Sequence, residues 1–482
     1  MIRDVNSLHL DPQVDYIDGQ TLTPMVKLHA SISNPNTHEP LQQQRATAEN
    51  FLDNALAAAE RVHRTGVWRT IAADERADRL EQIADELEKR LEDIAVVEAL
   101  TTGIVIRQTR ALARLIPMEF RQAARQARQG GKSLSLSAKV DVQRPPWGPA
   151  VLLTPWSASA VSAAHKVASA LAAGCPVILK ASEWSPHAAG ILAEVITGSD
   201  LPAGVFQLVH GGADVGAYLV QDPRCKVVSF SGGVVGGQAV AQACAVDLKP
   251  VQLELYGANP MLVLQDADLD LAAEGVVTAL TALNGQWNRG LSRLLVHRSL
   301  YHGLLSRVLE RLESVTIGDS LSPESDMGPL IHLGHFQDIQ RVRDELLVQG
   351  GVMHVNSKMP DLPGYFLEPT LVTNCQPDDT RNLILGPVVP VHMFRDAAEA
   401  VELANQPNRG SIAYIYSGDE DQARNLAREI EVASIAINGV SLFGLHPQAP
   451  RSGWGGNGLG EAGVIETFRF FTGTRAIGVA GG

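Results

Sequence analysis

Ala150-Val151-Leu152-Leu153, a small-residue stretch from Ala158 to Ala173, and Pro176-Val177-Ile178-Leu179-Lys180 follow one another without a break. They read as a buried strand, a helix and a second strand. The alternation continues through a helix near Pro186 to Thr197, then Val205-Phe206-Gln207-Leu208-Val209 and Lys226-Val227-Val228-Ser229-Phe230. Strands alternating with helices imply a parallel sheet of the dinucleotide-binding kind. A second α/β series follows Glu254, through Pro260-Met261-Leu262-Val263-Leu264, a helix from Leu271 to Leu283, and Ser292 to Val296. Upstream, Leu80, Ile83, Ala84, Leu87, Leu91 and Ile94 recur at three- and four-residue steps, which predicts one amphipathic helix over roughly Asp74 to Leu100. Glycine-rich turns at Gly453 to Gly463 are expected to lead into a strand-like piece near Phe468 to Thr472.

A chain of 482 residues exceeds one ordinary core, so two or three domains are expected. A formal net charge of −13 argues against nucleic acid or an anionic membrane as the main partner. Met1 to Ile17 holds no apolar core of a secretory signal. The most apolar stretch, Val161 to Leu179, is interrupted by His165, Lys166 and Pro176, too broken for a membrane span. Cys175, Cys225, Cys244 and Cys375 are widely spaced, with no CxxC or Cys/His cluster. That spacing excludes a recognisable zinc site and fits a reducing compartment. The expectation is an acidic, multidomain protein of the cytoplasm that holds no metal.

Gly232-Gly233 and Gly236-Gly237 follow an apolar run and precede an alanine-rich helix, Gln238 to Ala245. Glycines there let a ligand approach the backbone, and free amides at a helix N-terminus favour a pyrophosphate. A tight turn explains the same cluster equally well.

Gly285-Gln286-Trp287-Asn288-Arg289-Gly290-Leu291-Ser292-Arg293 resembles the nucleophile loop of the aldehyde dehydrogenase superfamily. Further matching pieces lie in the same order along nearly the whole chain. They include Thr101-Thr102-Gly103, Pro155-Trp156, Lys180-Ala181-Ser182-Glu183, Leu201-Pro202-Ala203-Gly204-Val205 and Phe230-Ser231-Gly232. Leu253-Glu254-Leu255, Asp266-Ala267-Asp268, Asp326-Met327-Gly328-Pro329-Leu330 and Gly386-Pro387-Val388 complete the set. The resemblance implies an α/β architecture in three parts. A dinucleotide-binding domain would take residues 1–134 and 156–253, a catalytic-type domain 254–450, and an oligomerisation flap 135–155 with 464–482. It also implies NAD or NADP as cofactor, an aldehyde or carboxylate as small-molecule ligand, and a homodimer or homotetramer.

The site carried over from the family is altered. Lys180 and Glu183 match the pair that reaches the adenine ribose, and Trp156, Gly232, Gly233 and Gly236 fall in the cofactor motifs. The residue after the first glycine is usually a phosphate-touching Ser, here Gly233. The second ribose carboxylate and the nicotinamide-packing Phe of a Glu-x-Phe-Gly-Pro motif are Leu383 and Leu385. The nucleophilic Cys is replaced by Asn288, whose amide cannot become an anionic nucleophile at neutral pH. The side-chain oxyanion donor is an Asn in the family and the shorter Ser157 here. Glu254 matches the family base, but Tyr256 stands where a Leu-Glu-Leu-Gly-Gly motif has glycine.

Trp287, Arg289, Tyr256 and His446 are expected around the same pocket, with Arg289 inviting a carboxylate by its fork geometry. His446 reads more simply as a loop histidine bonded to backbone. The four cysteines read as structural thiols. Three functions remain open at this level. The chain is a divergent member without thiolate chemistry, binding a ligand or partner. Alternatively it transfers hydride to a bound dinucleotide without a covalent step, Glu254 deprotonating an aldehyde hydrate. In the third, the pocket runs hydrolase or lyase chemistry through Glu254 and a water.

Overall fold

The computed structural model describes residues 10–130, 134–380, 385–407 and 409–480. Ala150–Leu153 lies near the middle of an eight-stranded sheet, parallel to Val177–Lys180 on one side and Val227–Gly232 on the other. The sheet extends to Phe206–Val209 and to Val251–Leu255, and its edges are the antiparallel strands Asp15–Ile17, Gln20–Leu22 and Gly458–Leu459. Ala150–Leu153, Val177–Lys180 and Phe206–Val209 are buried at every position. Cover on both faces is why these runs are continuously apolar rather than alternating. Helices Ala73–Glu88, Leu115–Gly130 and Ser159–Ala173 pack on one face around Leu80, Phe120 and Leu171. Helices Glu49–Thr65 and Ala213–Gln221 pack on the other, around Leu56 and Leu219.

A second sheet of seven strands is built around Pro260–Val263, Arg293–His297, Val388–Phe394 and Ile412–Tyr416, all parallel. Its two apolar faces bury Leu294 with Val276, and Leu295 with Phe394. A three-stranded sheet of Leu134–Ser137, Val140–Gln143 and Arg475–Gly478 stands apart from both. Among the described residues no helix is long and apolar enough to cross a membrane, and no group of three or more His, Cys, Asp and Glu side chains could hold a metal ion.

Four sequence expectations are corrected. The helix expected over 74–100 is two, Ala73–Glu88 and Leu91–Thr102, because Arg90 leaves helical geometry (φ −110°, ψ 8°). The apolar stripe keeps its phase across the break, so periodicity could not register it. The strand-like piece near 468–472 is the end of helix Val464–Phe470, and the terminal strand is Arg475–Gly478. Its aromatics have strand propensity, but tertiary packing decides. Residues 150–153, grouped with the flap in the 135–155 boundary, pair within the eight-stranded sheet. Gly236 and Gly237 lie inside helix Val234–Val246 rather than ahead of it. Gly237 is closely packed: a Cβ there would lie 2.4 Å from a methyl of the Leu255 side chain.

One buried histidine gives this fold a defined acid limit. His187 is 8 % exposed, and its Nε2 bonds Gln42 Oε1 at 2.9 Å while Nδ1 has no partner. Burial, with a smaller push from His210, moves its pKa down to about 3. The unfolded chain therefore binds the extra proton first. The stabilisation is complete above the ordinary histidine pKa and is lost as pH falls toward 3. By linkage the loss is about 5 kcal/mol. Urea midpoints across this pH range should fall steadily for the unaltered protein and be flatter for His187→Asn; parallel curves would contradict the assignment.

Candidate active site

The loop around Asn288 is rigidly held. Helix Leu269–Thr281 ends in a turn where Leu283 and Asn284 take left-handed backbone, φ +48° and +59°. Asn284 sustains that conformation: its Nδ2 donates to Gly103 O (2.7 Å) and Pro329 O (2.9 Å), and its Oδ1 accepts from Gly328 N (2.8 Å). Asn259 then clamps the next stretch, donating from Nδ2 to Asn288 O and Gly290 O, each at 2.9 Å. Ser411 Oγ donates to Asn288 O (2.9 Å), and Tyr414 Oη donates to Arg289 O (2.7 Å). Trp287 buries its ring with Ile104, Leu112 and Leu283. The Asn288 residue itself is exposed at the wall of a cavity of about 210 Å³.

That cavity opens between the carboxyl ends of the first sheet and the edge of the second. Ser157, Glu254, Tyr256, Trp287, Asn288 and Arg289 all line it. Glu254 is not free. Its Oε1 accepts from Lys166 Nζ at 2.6 Å, and Lys166 is 1 % exposed, its Nζ also donating to Ser229 Oγ at 2.7 Å. Burial alone would raise the Glu254 carboxyl; the Lys166 ammonium and then the Arg451 guanidinium overcome it and hold the group down at about 2. A carboxylate held so low is a weak proton acceptor. Beside it, His165 Nδ1 bonds Glu119 Oε2 (2.8 Å), and Arg451 Nη2 donates to His165 Nε2 (3.4 Å). Arg289 is pushed down to about 10 by burial and by Arg451. The Tyr256 hydroxyl is pushed up to about 12 by burial.

The crevice at the strand ends carries the remaining sequence candidates. Lys180 Nζ lies 3.3 Å from Glu183 Oε2 and 3.4 Å from Gly212 O. Gly233 caps helix Val234–Val246, whose first intrahelical bond is Gly237 N to Gly233 O, so the amides before it are free of helical partners. Open space faces the Gly233 Cα, whereas Gly232 and Gly236 lie against the Phe230 ring. Rings from the two halves of the chain meet across this crevice. Trp184 stacks on His332 with centroids 3.9 Å apart, and Trp156 meets His335 edge-on at 5.5 Å. His335 Nε2 donates to Leu385 O at 2.8 Å. Leu383 lies outside the described residues. His446 is exposed, lines a neighbouring cavity and accepts from Gln448 N at 3.1 Å through Nδ1.

Sequence reading missed Lys166, Glu119, His165 and Arg451. A signal for the first existed: His165-Lys166 interrupts a helix otherwise built of small buried residues, and a buried cation demands a partner. Cys175, Cys225 and Cys244 are buried, and burial pushes their thiols up to about 12, 12 and 11. Cys375 is half-buried, with Sγ against Val372 O and Thr373 O. None of the four lines the cavity.

Comparison with known proteins agrees with this geometry. The aldehyde dehydrogenase family model matches residues 26–477. A non-phosphorylating aspartate-semialdehyde dehydrogenase of Halomonas elongata is 32% identical over 469 residues, covering 96% of this chain and 94% of its own. A betaine aldehyde dehydrogenase of Bacillus subtilis is 29% identical over 455 residues, covering 92% of each. Among solved structures, a mutant of aldehyde dehydrogenase C from Pseudomonas syringae in complex with NAD+ and octanal superposes with a TM-score of 0.92 at 28% identity, covering 98% of both chains.

Proposed function

The chain belongs to the aldehyde dehydrogenase family, and from that premise we propose that it has lost thiolate-dependent aldehyde oxidation and keeps the cavity as a binding site for a small molecule. The observation that carries this reading is Asn288, exposed at the cavity wall on a loop held by Asn259, Ser411 and Tyr414. The scaffold that would aim a nucleophile is intact, and the residue it aims is an amide. No other thiol lines the cavity to take its place.

The two readings that retain turnover both require Glu254 as a base. Direct hydride transfer needs it to deprotonate an aldehyde hydrate, and hydrolase or lyase chemistry needs it to activate water. Its bond to Lys166 and its carboxyl at about 2, despite burial, weigh against both.

The residues fit only one end of a dinucleotide. Lys180, Glu183 and the open approach to Gly233 suit an adenosine ribose and a phosphate. At the other end Tyr256 lines the cavity beside Glu254, and Leu385 replaces an aromatic ring. Calorimetric titration of the whole protein should give, for NAD+ and NADP+ alike, an affinity near that of AMP, since the nicotinamide end adds nothing. A dinucleotide binding about a hundredfold or more tighter than AMP would contradict the weakened site.

Assembly as a homodimer or homotetramer in the cytoplasm belongs to the same proposal. It is supported by exposed Leu134, Leu136 and Ile477 on the three-stranded sheet and by cysteines that form no disulfide.

A further inference from the structure

Arg289 and Arg451 each line both the 210 Å³ cavity and the adjoining one of about 280 Å³, so the two residues are shared between them. Arg451 reaches His165 Nε2 at 3.4 Å, and that contact makes Nε2 the acceptor and leaves the proton on Nδ1, toward Glu119. Arg289 lies against Gly444, where an added Cβ would fall 2.5 Å from Nη1. Among the described residues its guanidinium has no hydrogen-bonding or ion-pair partner.

The charged groups lining the two cavities are Lys166, Arg289 and Arg451 against Glu119 and Glu254. Lys166 takes Glu254, and Glu119 is shared through His165 with Arg451. One positive charge is left unmatched in a half-buried setting, where an uncompensated ion is costly. A monoanion restores neutrality; a dianionic phosphate monoester would overshoot it beside Glu254. Leu115 and Phe443 line both cavities, and Leu112, Val161 and Trp287 extend the apolar wall inward. Taking the cavity as a ligand site, as proposed above, we infer that it binds a carboxylate with an apolar tail, the head on Arg289 and Arg451 and the tail along Leu115, Trp287 and Phe443. Paired forks give the head directional hydrogen bonds as well as charge.

Calorimetric titration of the whole protein with hexanoate, hexan-1-ol and hexyl phosphate tests this. Hexanoate should saturate one site per chain, with the alcohol and the phosphate at least about tenfold weaker. Arg289→Ala and Arg451→Ala should each weaken hexanoate by about tenfold or more. Should either alanine variant melt early, the matching lysine variant keeps the charge, loses the fork and should bind hexanoate with intermediate affinity. The inference is overturned if the alcohol or phosphate binds as well as hexanoate. It also fails if the arginine variants keep full affinity, or if no carboxylate from acetate to decanoate saturates. Aldehyde oxidation by the unaltered protein would remove the preceding functional reading and leave this binding result standing. Absent carboxylate binding without turnover would remove this inference alone.

Discussion

Glu254→Gln is expected to lower the stability of the fold by about 3–5 kcal/mol at neutral pH. Lys166 is 1 % exposed and has two bonds, to Glu254 Oε1 at 2.6 Å and to Ser229 Oγ at 2.7 Å. Ser229 donates its own proton to Gln252 Oε1 at 2.8 Å, so it can accept from Lys166 but offers no negative charge. A glutamine at 254 still accepts a hydrogen bond and leaves the ammonium buried and uncompensated. Lys166→Met should cost less. Glu254 is 24 % exposed along its side chain and retains Arg451 and His165 nearby. The pH dependence separates the partners. With its carboxyl at about 2 despite burial, because Lys166 and Arg451 favour the anion, Glu254 stabilises the fold fully above the ordinary carboxylate pKa. That contribution, about 3 kcal/mol by linkage, is lost as pH falls toward 2. Urea unfolding of Glu254→Gln should lack this acid limb. Equal stability of variant and parent at neutral pH would contradict the ion pair as drawn.

Asn288→Cys is expected to create a reactive thiol without creating an aldehyde dehydrogenase. Position 288 is exposed to the cavity next to Arg289, and cationic neighbours favour a thiolate. Alkylation by iodoacetamide at neutral pH should therefore be faster than for Cys175, Cys225 or Cys244, whose thiols burial raises to about 12, 12 and 11. Turnover should stay at background. Ser157 is too short to place an oxyanion donor where the family's Asn would, Tyr256 takes up space toward the nicotinamide, and Glu254 is tied to Lys166. Adding Ser157→Asn and Tyr256→Gly should raise the NAD(P)+-dependent rate by about 10²-fold or more, the usual worth of an oxyanion donor. A single Asn288→Cys change that restores brisk oxidation would show that only the thiol was missing.

Much of this was legible in the chain. The strand and helix series from Ala150 onward is written in uninterrupted apolar runs, because both faces of that sheet are covered. Asn288, Ser157 and Tyr256 could be read as departures because the motifs around them persist. What stayed hidden depends on partners far apart in sequence. Lys166 meets a carboxylate 88 residues away, and Trp184 meets a histidine on the other sheet's side of the crevice. Neither pairing leaves a periodic trace. The helix break at Arg90 was invisible for a related reason: the buried stripe stays in phase across it. Helix Val464–Phe470 was masked by its aromatics, whose preference for strands is overruled by burial of Phe468 and Phe471 against the first core.

The central claim is that the family's cavity survives here without its thiolate chemistry. The most direct measurement is the rate of NAD(P)H formation by the purified, unaltered protein, supplied with NAD+ or NADP+ and a series of aliphatic, aromatic and carboxylate-bearing aldehydes. The account predicts no rate above the protein-free background for any aldehyde with either dinucleotide. Sustained NAD(P)H formation that tracks protein concentration and is abolished by iodoacetamide would contradict it by showing thiolate-dependent oxidation.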